Sequence, residues 1–174
     1  MAKAKPLPPI EVLRELFSYD PETGVVTRNK STSNCNKAGD QVGWFNPGDG
    51  YMRFELNRKV VKIHRLAWKL MTGEEPPQEI DHINRDKTDN RWSNLREAKY
   101  DENQANRVKK KHRYLPGARR GPTGNWYASS HRKHLGSYSS EQEAHDAYVK
   151  WHREHYGEFS VYAPLSSSQR PAAG

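Results

Sequence analysis

The stretch Ile80-Asp81-His82-Ile83-Asn84, continued by Asp89-Asn90-Arg91-Trp92-Ser93-Asn94-Leu95-Arg96 and closed by Glu102-Asn103, decides how this chain is read. Ile80 to Ile83 predicts a short strand and Asn84 to Asn90 a polar loop. Asn94 to Arg96 predicts a return strand, and Lys99 to about Val108 a helix. The segment sets a carboxylate beside an imidazole, then two carboxamides at intervals that suit a hairpin followed by a helix. Those groups can hold one hard divalent cation and deprotonate a water. Asp81 and His82 are neighbours, so on a regular strand they face opposite ways; both reach one site only where the strand ends or bends. Taken alone, Asp81-His82 reads sooner as a turn or a structural hydrogen-bonded pair than as a site; the downstream asparagines reverse that reading.

Working outward, the whole chain has 174 residues, 33% of them hydrophobic, with 29 basic against 21 acidic residues and a net charge of +8. Its mean hydropathy is -1.11 and its isoelectric point about 9.6. Small modules joined by polar segments fit this composition better than one large core. The charge balance favours a polyanionic partner, nucleic acid before membrane. From Asn103 to Ser140 there is no Asp or Glu, while Arg107, Lys109, Lys110, Lys111, Arg113, Arg119, Arg120, Arg132 and Lys133 accumulate among Tyr114, Trp126, Tyr127 and Tyr138. A solvated face is the plain reading of a charge run; its length and aromatic interleaving favour salt-sensitive nucleic-acid contact. The lone Cys35 excludes an internal disulfide and a paired-cysteine zinc site. No signal peptide or membrane-spanning run is expected, so the protein reads as soluble and cytoplasmic.

Residues 1–9 read as a loose leader, and Ile10, Leu13 and Phe17 as one face of a short helix. Asp20-Pro21-Glu22-Thr23-Gly24 is a turn, followed by a strand to Arg28 and a polar loop from Asn29 to Asp40. Met52, Phe54 and Leu56 alternate with Tyr51, Arg53 and Glu55; with Asn57-Arg58 and the run Val60 to Ile63 they predict a β-hairpin. His64 to Met71 reads as a helix stopped by Gly73 and Pro76-Pro77. Lys109 to Pro116 is the expected domain boundary. Beyond it, Ala118 to Arg120, Trp126 to His131 and Leu135 to Tyr138 read as three strands. Ser140-Glu141-Gln142-Glu143 is a capping box for a helix carrying Ala144, Ala147, Tyr148 and Trp151 on one face, with Gly157 as C-cap. Pro164 to Gly174 reads as a polar, disordered tail.

Asp81-His82, Asp89-Asn90-Arg91, Asn94-Leu95-Arg96 and Glu102-Asn103 resemble the core of the HNH homing-endonuclease family in its phage form. His64-Arg65-Leu66-Ala67-Trp68 resembles the helix that precedes that core. The resemblance runs from about Phe17 to Asn106. It implies an α+β fold with a ββα-metal (His-Me finger) nuclease core, preceded by an N-terminal β-hairpin region. It also implies His82 as general base, Asp81 and Asn103 as ligands of Mg²⁺ or Mn²⁺, and Asn94 as the brace that orients His82. Where the family's last histidine is expected the chain has Asn103, the H-N-N variant; Asn106 is an alternative ligand. Arg91 and Arg96 are candidate phosphate contacts, and Trp68 and Trp92 read as core.

From about Leu115 to Ala163, Gly117-Ala118-Arg119, Asn125-Trp126-Tyr127-Ala128, Leu135-Gly136-Ser137-Tyr138 and Glu143-Ala144-His145-Asp146-Ala147-Tyr148 resemble the APETALA2/ethylene-response-factor DNA-binding domain. That resemblance implies a three-stranded sheet and helix module with Arg119, Arg120, Trp126, Arg132 and Lys133 facing DNA, beside the basic residues Lys109, Lys110 and Lys111. Trp126 reads equally as packing under the sheet. The expected domains are a leader and short helix (1–16), a nuclease domain (17–108), a basic linker (109–116), a DNA-binding domain (117–163) and a tail (164–174). The expectation is a monomeric, metal-dependent endonuclease acting on double-stranded DNA to leave 5′-phosphate and 3′-hydroxyl ends. The alternatives are a non-catalytic DNA-binding regulator and, on charge alone, an RNA- or assembly-associated protein.

Overall fold

The computed structural model describes residues 6–108, 113–130 and 133–165. Lys109, Lys110, Lys111 and Arg132 lie outside the described residues, as does the expected tail beyond Leu165. The architecture is mixed α+β, and the described residues fall into two compact units, one up to Tyr100 together with Leu165, the other from Asp101 to Pro164. The division falls between Tyr100 and Asp101, upstream of the expected linker.

The first unit opens with helix α1 (Ile10–Leu16) and the antiparallel pair β1 (Phe17–Tyr19) and β2 (Val26–Arg28). Phe17 does not continue the helix, as its spacing suggested. It begins β1 in an extended conformation and is buried, its ring set edge-on to Phe54 at 5.6 Å. Burying that ring outweighs one further residue of helix, because a fully buried Phe is worth roughly 1.5–3 kcal/mol and a terminal helical residue far less.

Strands β3 (Trp44–Asn46), β4 (Tyr51–Leu56) and β5 (Lys59–Lys62) form a three-stranded antiparallel sheet with β4 in the middle. Asn57 and Arg58 carry φ values of 51° and 60°. Such a two-residue turn matches the twist of the strands it joins. Helix α2 (Ile63–Thr72) follows β5 directly and buries Ile63, Leu66, Ala67 and Leu70 at helical spacing. Leu13, Phe17, Val26, Val42, Phe54, Ile63, Leu66 and Leu70 make one core cluster. Ala67, Ile80 and Leu95 make a smaller one, with Trp68 packed against it. The small cluster joins α2 to the antiparallel pair β6 (Glu79–His82) and β7 (Leu95–Ala98). A 3₁₀ turn over Trp92–Asn94 leads into β7.

The second unit holds most of α3 (Tyr100–Ala105), then β8 (Ala118–Arg120), β9 (Trp126–Ser129) and β10 (His134–Tyr138) in the order β10-β9-β8, and helix α4 (Glu141–Tyr156). Ser140 caps α4, its Oγ accepting the Glu143 backbone N–H at 3.1 Å. Glu143 reaches back to the Ser139 backbone N–H at 3.0 Å. The core is built from small residues, Ala118, Ala128 and Ala144, around Tyr148. His152 is also buried on α4, with its Nδ1 2.7 Å from Ser160 Oγ.

That alanine core lets backbone and ring come close. Gly117 has φ +82°, and a Cβ there would lie 2.0 Å from Tyr148 Cγ. Gly117→Ala is therefore expected to destabilise the second unit by about 2–3 kcal/mol through overpacking at a left-handed position. Urea unfolding followed by tryptophan fluorescence measures it; an unchanged midpoint would refute the close approach.

Candidate active site

The β6–β7 register explains the first contact in the site. Asp81 pairs with Arg96 and His82 with Leu95. Cross-strand partners share a face, so Arg96 meets Asp81: its Nε and Nη2 donate to Asp81 Oδ2 at 3.0 and 2.8 Å. The carboxylate is buried, its side chain 5% exposed. Arg96, a candidate phosphate contact in the sequence, is thus ion-paired to the candidate metal ligand.

His82 is the last residue of β6, where the chain leaves the sheet. Its ring is buried, with Nε2 3.4 Å from Asn90 Oδ1. His64 lies edge-on at 5.0 Å between ring centroids, and Tyr51 at 5.8 Å. Burial drives the His82 pKa down to about 4, against the raising pull of Asn90, Asp86 and Asp89 and with help from Lys62. Burial likewise holds His64 well below the ordinary histidine value, and its Nδ1 has no hydrogen-bond partner among the described residues. Both imidazoles are neutral at neutral pH, the form that accepts a proton.

The loop between the strands is closed by Asn94, which is fully buried. Its Oδ1 accepts the Asn84 backbone N–H at 2.9 Å and its Nδ2 donates to the Asp89 carbonyl at 2.8 Å. Its own carbonyl accepts the Ile83 N–H at 2.9 Å. Asn84 donates through Nδ2 to Asp89 Oδ2 at 2.8 Å, and Arg91 holds Asp89 through Nε at 2.8 Å and Nη2 at 2.6 Å. The Arg91 hydrogen bonds keep the Asp89 carboxyl below its usual range. Arg91, the other candidate phosphate contact, therefore serves the loop. Asn90 donates through Nδ2 to the Thr88 carbonyl at 3.0 Å, which turns its Oδ1 toward His82.

The N-terminal hairpin supports the same loop. Tyr19 Oη donates to the Asn90 carbonyl at 2.8 Å and the Trp92 N–H donates to the Pro21 carbonyl at 2.9 Å. A Cβ at Gly24, where φ is +73°, would sit 2.5 Å from Arg91 N. Tyr19, Tyr51 and Asn90 were not read as site residues from sequence. The Asp20-Gly24 turn was legible, but its tertiary target was not. Trp68 and Trp92 pack together at 5.1 Å, as core residues do.

Residues 61–105, from β5 through α2, β6 and β7 to the end of α3, match the family model of the HNH endonucleases. The match covers 45 of the residues, so HNH homology holds for part of the chain. No curated protein and no solved structure matches the chain. His82, Asp81, Asn94 and Asn103 all lie within the HNH stretch. Among the described residues, no group of three or more His, Cys, Asp and Glu side chains gathers to hold a metal ion. Asn103 is half-buried on α3, in the second compact unit. Asn106, the alternative ligand, is buried just beyond that helix.

In the second unit the register divides the residues expected on the DNA-facing sheet. Arg120 pairs with Trp126 and Arg119 with Tyr127. Arg120 and Trp126 share the face of the buried Ala118 and Ala128, where Trp126 packs against the core and Arg120 lies 5.8 Å from its ring centroid. Arg119 is exposed on the opposite face with Tyr127, Ser137 and His134. Lys133 is exposed before β10. Trp126 is half-buried where it packs against that core. No described helix is long and apolar enough to cross a membrane.

Two outcomes follow from this geometry. Asn94→Ala leaves the buried Asn84 N–H and the part-buried Asp89 carbonyl without their side-chain partner, so stability should fall by about 2–4 kcal/mol in a urea titration. His82 and His64 bind protons in the unfolded chain near 6.5 but only well below that when folded. The unfolded state then holds more protons, so their contribution is complete above about pH 6.5 and shrinks as pH falls toward 4. A melting temperature flat across that window would contradict the burial.

Proposed function

We propose that the chain is an HNH-type, metal-dependent DNA endonuclease with a C-terminal DNA-binding module. The observation that carries the reading is the neutral, buried His82 at the end of β6, inside the stretch that matches the HNH family, with Asn90 on its Nε2. A neutral imidazole at a strand end can take a proton from an attacking water. Asn94 and Asp89 fix the loop that carries Asn90, so the His82 ring is held before substrate arrives. The core belongs to the ββα-metal type in this reading, and Asn94 acts as a positioning residue.

The donor chemistry of Asp81 and Asn103, one carboxylate and one carboxamide oxygen, suits Mg²⁺ or Mn²⁺. Such a cation supplies charge neutralisation at the leaving oxygen. Arg96 holds Asp81 in place from the paired strand. Products would be a 5′-phosphate and a 3′-hydroxyl. The sheet and helix of the second unit would fix position on the duplex as an APETALA2-like module, with Arg119 and Lys133 facing DNA. Net charge +8 supports a polyanionic partner.

Supercoiled plasmid incubated with the protein tests this. Nicking or linearisation with Mg²⁺, absent with EDTA and reduced at least about a hundredfold in His82→Ala, is the expected result. Tight, salt-sensitive binding with no cleavage in any divalent metal would favour the non-catalytic regulator instead.

A further inference from the structure

Two cations lie against Tyr51, beside His82, and a third, Arg53, is the cross-strand neighbour of one of them. Lys62 Nζ lies 3.7 Å from the Tyr51 ring centroid and Lys87 Nζ 4.5 Å. The ring itself is 5.8 Å from that of His82. Arg53 is the cross-strand partner of Lys62 on the same face of the β3-β4-β5 sheet, which also carries Trp44, 47% exposed. Like charges placed directly opposite are destabilising in a sheet. The neighbourhood answers with Asp49, whose carboxylate pairs with Arg53 and whose carbonyl accepts from Lys87 at 2.8 Å. The Glu79 carboxylate also acts on Lys62 by its charge. Arg53 Nε is buried without a hydrogen-bond partner among the described residues.

Cation–π contact fixes both ammonium groups at low conformational freedom. Each keeps N–H groups to offer an anion, since an ammonium has three donors and a ring face accepts weakly. A polyanion is the ligand that would balance the cluster, and its place beside His82 says which part of one.

We propose that Lys62, Lys87 and Arg53 form a phosphate clamp, seated on Tyr51, that grips the DNA backbone next to the phosphodiester presented to His82. The proposal deepens the nuclease reading and rests on it for the substrate. Lys62 and Lys87 carry the direct contacts. Arg53, tied to Asp49, sets the local charge, and Tyr51 connects clamp and imidazole through ring packing.

The test is binding of a fluorescent DNA duplex by the full chain in EDTA, across a salt series, so that no turnover intervenes. Lys62→Gln and Lys87→Gln should each weaken binding by about fivefold near 0.15 M salt and lower the salt slope by about one. Lys62→Arg should retain wild-type affinity. Lys59→Gln, on the opposite face of β5, should change affinity less than either. Unchanged affinity and slope in both glutamine variants with an intact melting transition would overturn the clamp. So would an equal loss in Lys59→Gln, which would mark a bulk charge effect. If the wild type never cuts DNA but these variants lose binding as expected, the nuclease reading falls and the clamp stands as a DNA-binding surface.

Discussion

The bond pattern of one buried carboxamide organises the site. Asn94 sits at the end of a 3₁₀ turn, just before β7, and its side chain spans the mouth of the loop from Asn84 to Asp89. A fully buried amide has both a donor side and an acceptor side to satisfy, and here each meets the backbone. Shape alone would not hold a polar loop of this length against the entropy of an open chain. With the mouth closed, Asp89, Asn84 and Arg91 lock to one another, and Asn90 is left facing His82. The candidate base is thus placed by hydrogen bonds whose origin lies a dozen residues downstream.

Much of the fold was legible because it is written in local periodicity. The alternation of Met52, Phe54 and Leu56 and the Asn57-Arg58 turn describe β4 and β5, and helical spacing describes α2 and α4. What the sequence concealed are features decided by tertiary contact. β3 is three residues long and two of them are exposed aromatics, Trp44 and Phe45, so no burial pattern marks it. Phe17 looked helical because the i, i+3, i+7 spacing of Ile10, Leu13 and Phe17 is blind to the turn of the chain that delivers it to Phe54. The division at Tyr100 lies inside a continuous helix, with no Gly, Pro or charge run to signal it.

The site divides along the same line. Asp81, His82 and Asn94 could be singled out because their spacing resembles the HNH core. Their partners could not, since register decides them: one pairing step sets Arg96 against Asp81, and the same arithmetic sends Arg119 and Arg120 to opposite faces of their sheet. A basic run reads as one surface in sequence and as two surfaces in a strand. Tyr19 and Gly24, far upstream of the HNH stretch, reach the Asn90 loop through a tertiary hydrogen bond and a close backbone approach.

Burial then sets the terms of the chemistry. A histidine surrounded by Tyr51, His64 and Asn90 loses hydration that would stabilise its cation, so it waits in the accepting form. The same desolvation makes it a weaker base than an open imidazole, and Lys62 adds to that effect. A polyanionic strand alters the balance. In the proposed nuclease, phosphate beside Lys62 would offset its positive field and add negative charge near the ring, raising the proton affinity of His82. The field of Lys62 at His82 is then one that a bound backbone would cancel, which in that nuclease would couple the basicity of the ring to substrate.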